Sequence, residues 1–373
     1  MTGQDIREIA IIGAGNGGCA AAADLTLRGF SVRLYGRSPS TLAPLRERGG
    51  VEISGVLGEH VVPIPCMTDD PGEAVAGADL VILMGPTHAH EAMATSVAKH
   101  LHQGQVLMAA PGHTVLLIPK VLRAHGHGDI AFCDTATLPY ICRKSGPAAV
   151  RITQAARYLI FAAFPGRRTA ELAERIRPVY PTIQPGANLL ETVFPYTNAI
   201  HHPPATLCNA GRIEATGGDY YHYYDGISPA VGRLIDALDR ERTAIACALG
   251  VRVLPFPEQF FRMGYTTAQA RDSGLAYECF HQSEPDRWIR APATLDHRFL
   301  NEDIPYGLVL LSALGRLAGV ATPTIDHTIE LSCIATGKDF RAHGLTLDRL
   351  GLAGMEAASA IRLLDHGYSP TRH

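Results

Sequence analysis

No apolar run in this chain reaches the roughly 20 residues that span a bilayer, so a membrane-embedded protein is not expected. The eight cysteines form no C-x-x-C pair and follow no regular spacing. That argues against a disulfide framework and against a zinc ribbon, and the thiols read as reduced in a cytoplasm. The stretch "MTGQDIREIAIIGAGNGG" has no basic region, and glycines interrupt its apolar run, so a secretion signal is not expected. An excess of one charge is missing as well: 33 Lys and Arg stand against 36 Asp and Glu, for a net −3. A nucleic-acid or anionic-membrane partner would call for a basic surface, and neither is expected here. No internal repeat or low-complexity segment interrupts the 373 residues.

What is present is a globular balance, with 46% hydrophobic and 18% charged residues, in a chain long enough for two domains. The first half alternates short apolar runs with helical patterns. "EIAIIGAG", "SVRLYGR", "DLVILMGP", "QVLMAAPG" and "DIAFCD" read as strands, and "AVRITQAARYLIFAAFPG" as two adjacent ones. After the helix "RTAELAERIRPVY", "PTIQPGAN" is read as leaving the sheet. Continuous apolar strands separated by helices predict a parallel sheet covered on both faces. From about Leu189 most of the remainder reads as helix; Ser228, Pro229 and Gly250 bracket the clearest one with a cap, a first-turn proline and a stop. The expected architecture is α/β: an N-terminal Rossmann-type doubly wound sheet over 1–185 and a C-terminal all-α domain over 186–373.

"GAGNGG" places Gly13, Gly15 and Gly18 at G-x-G-x-x-G spacing, between a strand and a helix. The first glycine permits the tight turn, the second lets backbone approach a pyrophosphate, and the third lets helix pack on strand. Asn16 and Gly17 open that helix, whose N-terminus offers free N–H groups to phosphates. Dinucleotide sites that take NAD carry an acid about 20 residues later, but the second strand here ends "RLYGRS". Arg37 and Ser38 stand where a 2′-phosphate would lie, so NADP is the expected cofactor, with NAD as the alternative. "MGPTHAH" follows another strand and brings Thr87 to the ligand end of the sheet. His88 and His90 have no companion carboxylate or cysteine, a poor ligand set, so no metal is expected.

In "NAIHHPP" (198–204) two imidazoles precede two prolines. If the preceding stretch is helical, Asn198 and His202 share a face, His201 is turned roughly 100° away, and Pro203 ends that helix or starts the next. Histidine is the general acid/base of neutral pH; a capping or core histidine is the alternative reading of His202. "LDHRFLNEDIPYGL" (295–308) carries Arg298, whose fork suits a carboxylate, and Asp303, of a type that can hold a histidine ring in one tautomer. The tyrosines at 220, 221, 223 and 224 either cover a substrate side chain or pack between domains.

Taken together, "IAIIGAGNGG", "TLPYICR", "NAIHHP", "LDRERTAIACALG" and "HRFLNEDIPYGL" resemble the opine dehydrogenases, the octopine/nopaline dehydrogenase group, over nearly the whole chain. The resemblance implies NAD(P)H-dependent joining of an amino acid's amine to a 2-oxo acid. It also implies His202 as the catalytic histidine, Asp303 as its partner, Arg298 as a carboxylate ligand and Asn198 as a substrate contact. His201 is an extra histidine in that pattern, and the proline register favours His202. The expected partners are small molecules, an amino acid and a 2-oxo acid, in a cytoplasmic protein, with a homodimer as the assembly to be considered. Two rival readings are a 2-oxo acid reductase of the ketopantoate or 2-hydroxy-acid type and a non-catalytic NADP-binding sensor.

Overall fold

The structure is a computed structural model that describes residues 5–368. Twelve strands form in chain order: β1 Glu8–Ile12, β2 Ser31–Tyr35, β3 Gly50–Gly55, β4 His60–Pro63, β5 Cys66–Thr68, β6 Leu80–Leu83, β7 Val106–Ala109, β8 Ala131–Thr135, β9 Tyr140–Lys144, β10 Ala149–Ala155, β11 Leu159–Phe164 and β12 Ile183–Pro185. Eight of them build the main sheet in the order β12-β11-β8-β7-β6-β1-β2-β5. From β5 through β8 every pairing is parallel, as expected for strands buried on both faces; β6 and β7 have no exposed residue. β1 pairs with β2 on one side and β6 on the other. The strand order therefore reverses at β1, and the loops after β1 and β6 diverge there, at the position where open α/β sheets bind ligands.

Three features differ from the sequence expectation. β11 runs antiparallel to β8. "PTIQPGAN" does not leave the sheet at once, because Ile183–Pro185 adds a short edge strand parallel to β11. The two strands read in "AVRITQAARYLIFAAFPG" are neighbours in sequence only: β10 belongs to a second, four-stranded sheet of order β4-β3-β10-β9.

That second sheet explains the helix after the glycine turn. Asn16–Leu27 is "NGGCAAAADLTL", apolar around most of its circumference, with Gly18, Cys19, Ala20, Ala21, Ala22, Ala23 and Leu25 buried. A helix apolar on all sides must be covered on all sides. This one lies against β1 and β2 of the main sheet and against β3, β4, β9 and β10 of the other. Tyr140 on β9 donates to Asp24 at 2.7 Å, fixing the contact.

The chain divides into two compact units, one running to Val193 and resuming at Ile361, the other spanning Phe194–Ala360. The first unit extends past the 185/186 boundary expected from sequence because Leu189, Leu190 and Val193 are buried and helix Leu190–Val193 lies against β11. Asn188 donates to Asp365 at 2.7 Å within the same unit. The second unit is helical; its β-type pairing among the described residues is a single bridge between Tyr221 and Arg290. Among the described residues, no helix is long and apolar enough to cross a membrane.

Candidate active site

The glycine turn after β1 has the steric requirements its spacing implies. Gly13 sits at φ +125, and a Cβ there would lie 2.3 Å from the Met84 carbonyl oxygen, in the loop after β6. A Cβ on Gly18 would lie 1.6 Å from the Gly13 oxygen, and one on Gly17 2.9 Å from Leu138. Gly15 differs: nothing lies within 4 Å of the place its Cβ would occupy. Packing does not demand that glycine, whereas a pyrophosphate approaching the backbone does. Gly15 is also the N-cap of helix Asn16–Leu27, which has no side-chain cap and no acid in its first turn, so its leading N–H groups stay open to an anion. The Asn16 side chain is already engaged, accepting from the Lys144 amide at 3.0 Å.

At the end of β2, Arg37 is exposed and makes no ion pair among the described residues, and Ser38 precedes helix Pro39–Arg48. Thr87 is buried in a single 3₁₀ turn just beyond β6. His90, singled out with His88 in the sequence, is fully buried and bonds the Gly85 carbonyl at 3.0 Å. Burial holds its pKa down to about 4, so it closes this loop as a neutral ring. These residues fit a dinucleotide. Among the described residues, no group of three or more His, Cys, Asp or Glu is placed to hold a metal ion.

The second constellation lies in the helical unit. The stretch 189–202 is not one helix. It breaks around Pro195, between Leu190–Val193 and Asn198–Leu207. Two buried side chains pin the break: Arg242 donates to the Phe194 carbonyl at 2.6 Å and Gln259 to the Pro195 carbonyl at 2.5 Å. Arg242 is held in turn by Asp239 through bonds of 2.8 and 2.6 Å. The motif "LDRERTAIACALG" is thus structural at Arg242, fixing the backbone just before Tyr196.

Pro203 does not end the helix that carries the histidines, contrary to the sequence expectation; Pro203 and Pro204 both lie inside it. Proline removes an N–H and fixes a φ that a helix accepts, so what is lost are the donors to the Ala199 and Ile200 carbonyls. Every residue from Ala199 to Thr206 is buried, and packing outweighs that loss. Asn198 and His202 therefore do share one face of one helix, a turn apart. Asn198 is half-buried and makes no side-chain hydrogen bond among the described residues.

The opposing wall is the segment 297–308. Arg298–Asn301 is one helical turn, and Ile304–Leu308 is a π turn in which the Leu308 amide bonds the Asp303 carbonyl at 3.0 Å. Gly307 makes the approach to the histidine helix close: a Cβ there would lie 2.4 Å from the Ala199 Cβ. The result joins two residues far apart in sequence. Asp303 Oδ2 is 2.7 Å from His202 Nδ1. Tyr196 donates to Asp303 Oδ1, and Tyr223 Oη is 2.7 Å from His202 Nε2. The His202 ring stacks on Phe299 with centroids 3.9 Å apart.

An ionised Asp303 accepts from both Nδ1–H and the Tyr196 hydroxyl, which fixes the His202 tautomer and leaves Nε2 to accept from Tyr223. Burial pushes the Asp303 carboxyl up to about 7, against the pull of Tyr196 and Arg298. Burial, with Arg298 and His297 nearby, holds His202 well below its ordinary value. The two titrate as one unit: the pair takes up one proton near neutrality and refuses a second. That is the behaviour of an acid/base tuned to physiological pH.

Arg298 is 57% exposed and pairs with buried Glu302 at 3.0 Å, leaving much of its fork accessible beside Asp303. His201 turns to the other side, against Phe280 and Phe256 at 5.2 and 5.8 Å between centroids. It is a core residue whose pKa burial pushes well down. The structure thus brings His202, Asp303, Arg298 and Asn198 into one unit and holds Gly13, Gly15, Asn16, Gly17, Gly18, Arg37, Ser38 and Thr87 at the sheet's ligand edge. Sequence reasoning did not single out Tyr196, Phe299 or Glu302. It placed Tyr223 only among four tyrosines with no assigned contact. His222 was missed too: it is fully buried beside Phe299 and, among the described residues, neither of its ring nitrogens has a hydrogen-bond partner.

Comparison with known proteins gives a consistent result. Residues 185–336 match the family described as NAD/NADP octopine/nopaline dehydrogenase, alpha-helical domain, and residues 9–116 match the ketopantoate reductase PanE/ApbA family. An opine dehydrogenase of Arthrobacter sp. (strain 1C) is 33% identical over 354 residues, covering 94% of this chain and 97% of that protein. Among solved structures, octopine dehydrogenase with NADH and L-arginine superposes at a TM-score of 0.77, with 19% identity over 98% of this chain and all of that one. Yersinopine dehydrogenase with NADP+ superposes at 0.75, with 17% identity over 97% and 98%.

Proposed function

The chain belongs to the opine dehydrogenase family, and from that premise we propose that it joins the amine of an amino acid to a 2-oxo acid of pyruvate type at the site around His202. It is an NAD(P)-dependent oxidoreductase acting on CH–NH donors. The observation that carries the residue assignment is the buried chain in which Asp303 holds one nitrogen of His202 at 2.7 Å while the other nitrogen is turned to a hydroxyl.

The reduced nicotinamide supplies the hydride when bound. Gly15 and the open N-terminus of helix Asn16–Leu27 would hold its pyrophosphate. Arg37 and Ser38 would lie toward its 2′ position with no acid to repel a phosphate, which favours NADPH over NADH. Arg298 takes the oxo-acid carboxylate with its two-pronged donor set, and the unengaged amide of Asn198 bonds the substrate one turn from His202. Condensation and reduction together consume one proton and release one water. The His202–Asp303 pair supplies that proton when it is loaded, and Asp303 stabilises the imidazolium of that loaded state, which donation returns to a neutral ring.

The test is a matrix of amino acids against 2-oxo acids, read as loss of NADPH or NADH absorbance. An oxo acid reduced faster without any amine than with one would move the assignment to simple carbonyl reduction. The ketopantoate reductase match does not itself favour that outcome, because it ends at residue 116, well before His202. Cofactor binding with no pair consumed would move the assignment to a sensor.

A further inference from the structure

Resting on the function proposed above, we propose that Tyr223 Oη, rather than His202 Nε2, is the atom that exchanges the proton with the substrate, with His202 acting through it.

The hydrogen bonds within the site leave little alternative. Both nitrogens of His202 are committed, Nδ1 to Asp303 and Nε2 to Tyr223, each at 2.7 Å. The ring has no lone pair or proton left to meet a substrate. At the far end, Asp303 is closed off by Tyr196. A hydroxyl has one donor and two acceptor positions, so the Tyr223 oxygen, unlike either nitrogen of the ring it bonds, keeps capacity to meet a substrate.

Neither ring is placed to swing aside. His202 is 6% exposed and Tyr223 5%. The imidazole is stacked on Phe299 and met edge-on by His201, 4.5 Å between centroids. The phenol lies parallel to Phe280, with an interplanar angle of 2° and centroids 5.1 Å apart. Its backbone is tied on both sides: the His222 amide bonds the Ile289 carbonyl at 2.8 Å, and Asn209 bonds the Gly226 carbonyl at 2.8 Å. A Cβ on Gly226 would lie 2.2 Å from the His222 oxygen, so that turn is closed by contact.

The proton step balances without a charged phenol. In the reductive direction the loaded pair is an imidazolium with Nε2–H pointing at the Tyr223 oxygen. Tyr223 O–H gives its proton to the substrate oxygen, which departs as water, while the Nε2 proton moves onto the phenol oxygen. One O–H bond breaks at Tyr223 and another forms there; one N–H bond breaks at His202. The phenol ends neutral and the imidazole ends neutral with Nδ1–H on Asp303. Run backwards, the phenol oxygen takes a substrate proton as its own passes to Nε2. Burial pushes the Tyr223 phenol well above its ordinary pKa, which disfavours a free tyrosinate and suits this paired transfer.

The experiment compares the full-length protein with Tyr223→Phe, His202→Ala and the double variant, on the amino acid and oxo acid pair that the parent uses best. Removing the hydroxyl is expected to lower kcat about 100-fold or more, the scale of one positioned acid/base, with the cofactor Kd and melting temperature unchanged. The double variant is expected to be no slower than His202→Ala, because both changes interrupt one path. Tyr223→Phe turning over within about threefold of the parent, or faster, would show that the hydroxyl only parks Nε2 until substrate displaces it. Losses that multiply in the double variant would also overturn the relay. Should Tyr223→Phe fail to fold, difluorotyrosine at 223 keeps the shape with a more acidic phenol; the pH profile of kcat is then expected to shift, and an unmoved profile overturns the proposal. A parent that oxidises cofactor with no pair at all removes the functional reading itself and the relay with it, whereas an active parent with an equally active Tyr223→Phe removes the relay alone.

Discussion

Gly307→Ala puts the geometry of the site to a direct test. Ordinarily this change in a helical turn is favourable, since glycine costs about 1 kcal/mol relative to alanine there. Here the new Cβ would lie 2.4 Å from the Ala199 Cβ, 3.5 Å from the Ala199 Cα and 3.8 Å from Tyr196. Carbon atoms rest at roughly 3.5–4.0 Å, so the π turn must retreat from the histidine helix by about 1 Å. The neighbour is backbone-fixed on both sides and has no rotamer through which to yield. Overpacking of this kind costs about 1–3 kcal/mol, which exceeds the propensity gain. The same retreat stretches the 2.7 Å bond between Asp303 and His202 to about 3.5 Å or beyond, the limit at which it stops being a hydrogen bond. A misplacement of about 1 Å can cost roughly 100-fold in rate. Gly307→Ala is therefore expected to melt several degrees lower and to lose most of its kcat. Removing the colliding methyl group with Ala199→Gly in the same chain is expected to restore much of the activity. A Gly307→Ala protein as active and stable as the parent would refute the close approach, as would a double variant no better than the single one.

Three further outcomes follow from the same geometry. His202→Ala is expected to lower turnover by about 100-fold or more and His201→Ala far less, since only His202 meets Asp303; the reverse order in two folded variants would sink the assignment. The parent is expected to favour NADPH, by about 10-fold or less because Arg37 is exposed and such pairs are weak, and Arg37→Ala to erase that preference in kcat/KM; a preference that does not move counts against Arg37. The reductive reaction needs the proton-loaded pair, so its kcat should fall as pH rises through about 7, where burial places the Asp303 titration. The oxidative direction should rise over the same interval, and parallel profiles in both directions would contradict the pair's role.

Some of this was legible in the residues and some was not, for physical reasons. The glycine turn could be read because its demands are local: three positions within six residues, between a strand and a helix. The apolar strands of the main sheet could be read because burial on both faces leaves an uninterrupted run. The second sheet was missed because its strands are half-exposed and so lack an uninterrupted apolar run; β4 is "HVVP" with one buried residue. A signal was nonetheless present, in a helix of alanines with no polar face. Proline misled at Pro203 because the rule weighs a lost N–H, whereas here eight consecutive buried residues decide. That Asp303 would meet His202 is a long-range fact that no spacing encodes; the resemblance supplied it. Tyr223 could not be separated from its three neighbouring tyrosines by any local pattern, since only the fold determines which of them meets His202.

The helix Asn16–Leu27 also limits how this protein can be made or cut. One of its faces is covered by β1 and β2, close to it in sequence, and another by the second sheet, whose strands β9 and β10 span Tyr140–Ala155. During synthesis the helix behind the phosphate-binding turn keeps part of its alanine-rich surface bare until β9 and β10 have followed, more than a hundred residues later. A fragment ending before Tyr140 would carry the glycine motif and most of the parallel strands and still leave open the face that β9 and β10 cover, which makes association with other chains its favoured fate. Minimal cofactor-binding versions of this unit therefore have to reach past β10 to be soluble, however complete the motif at their start looks.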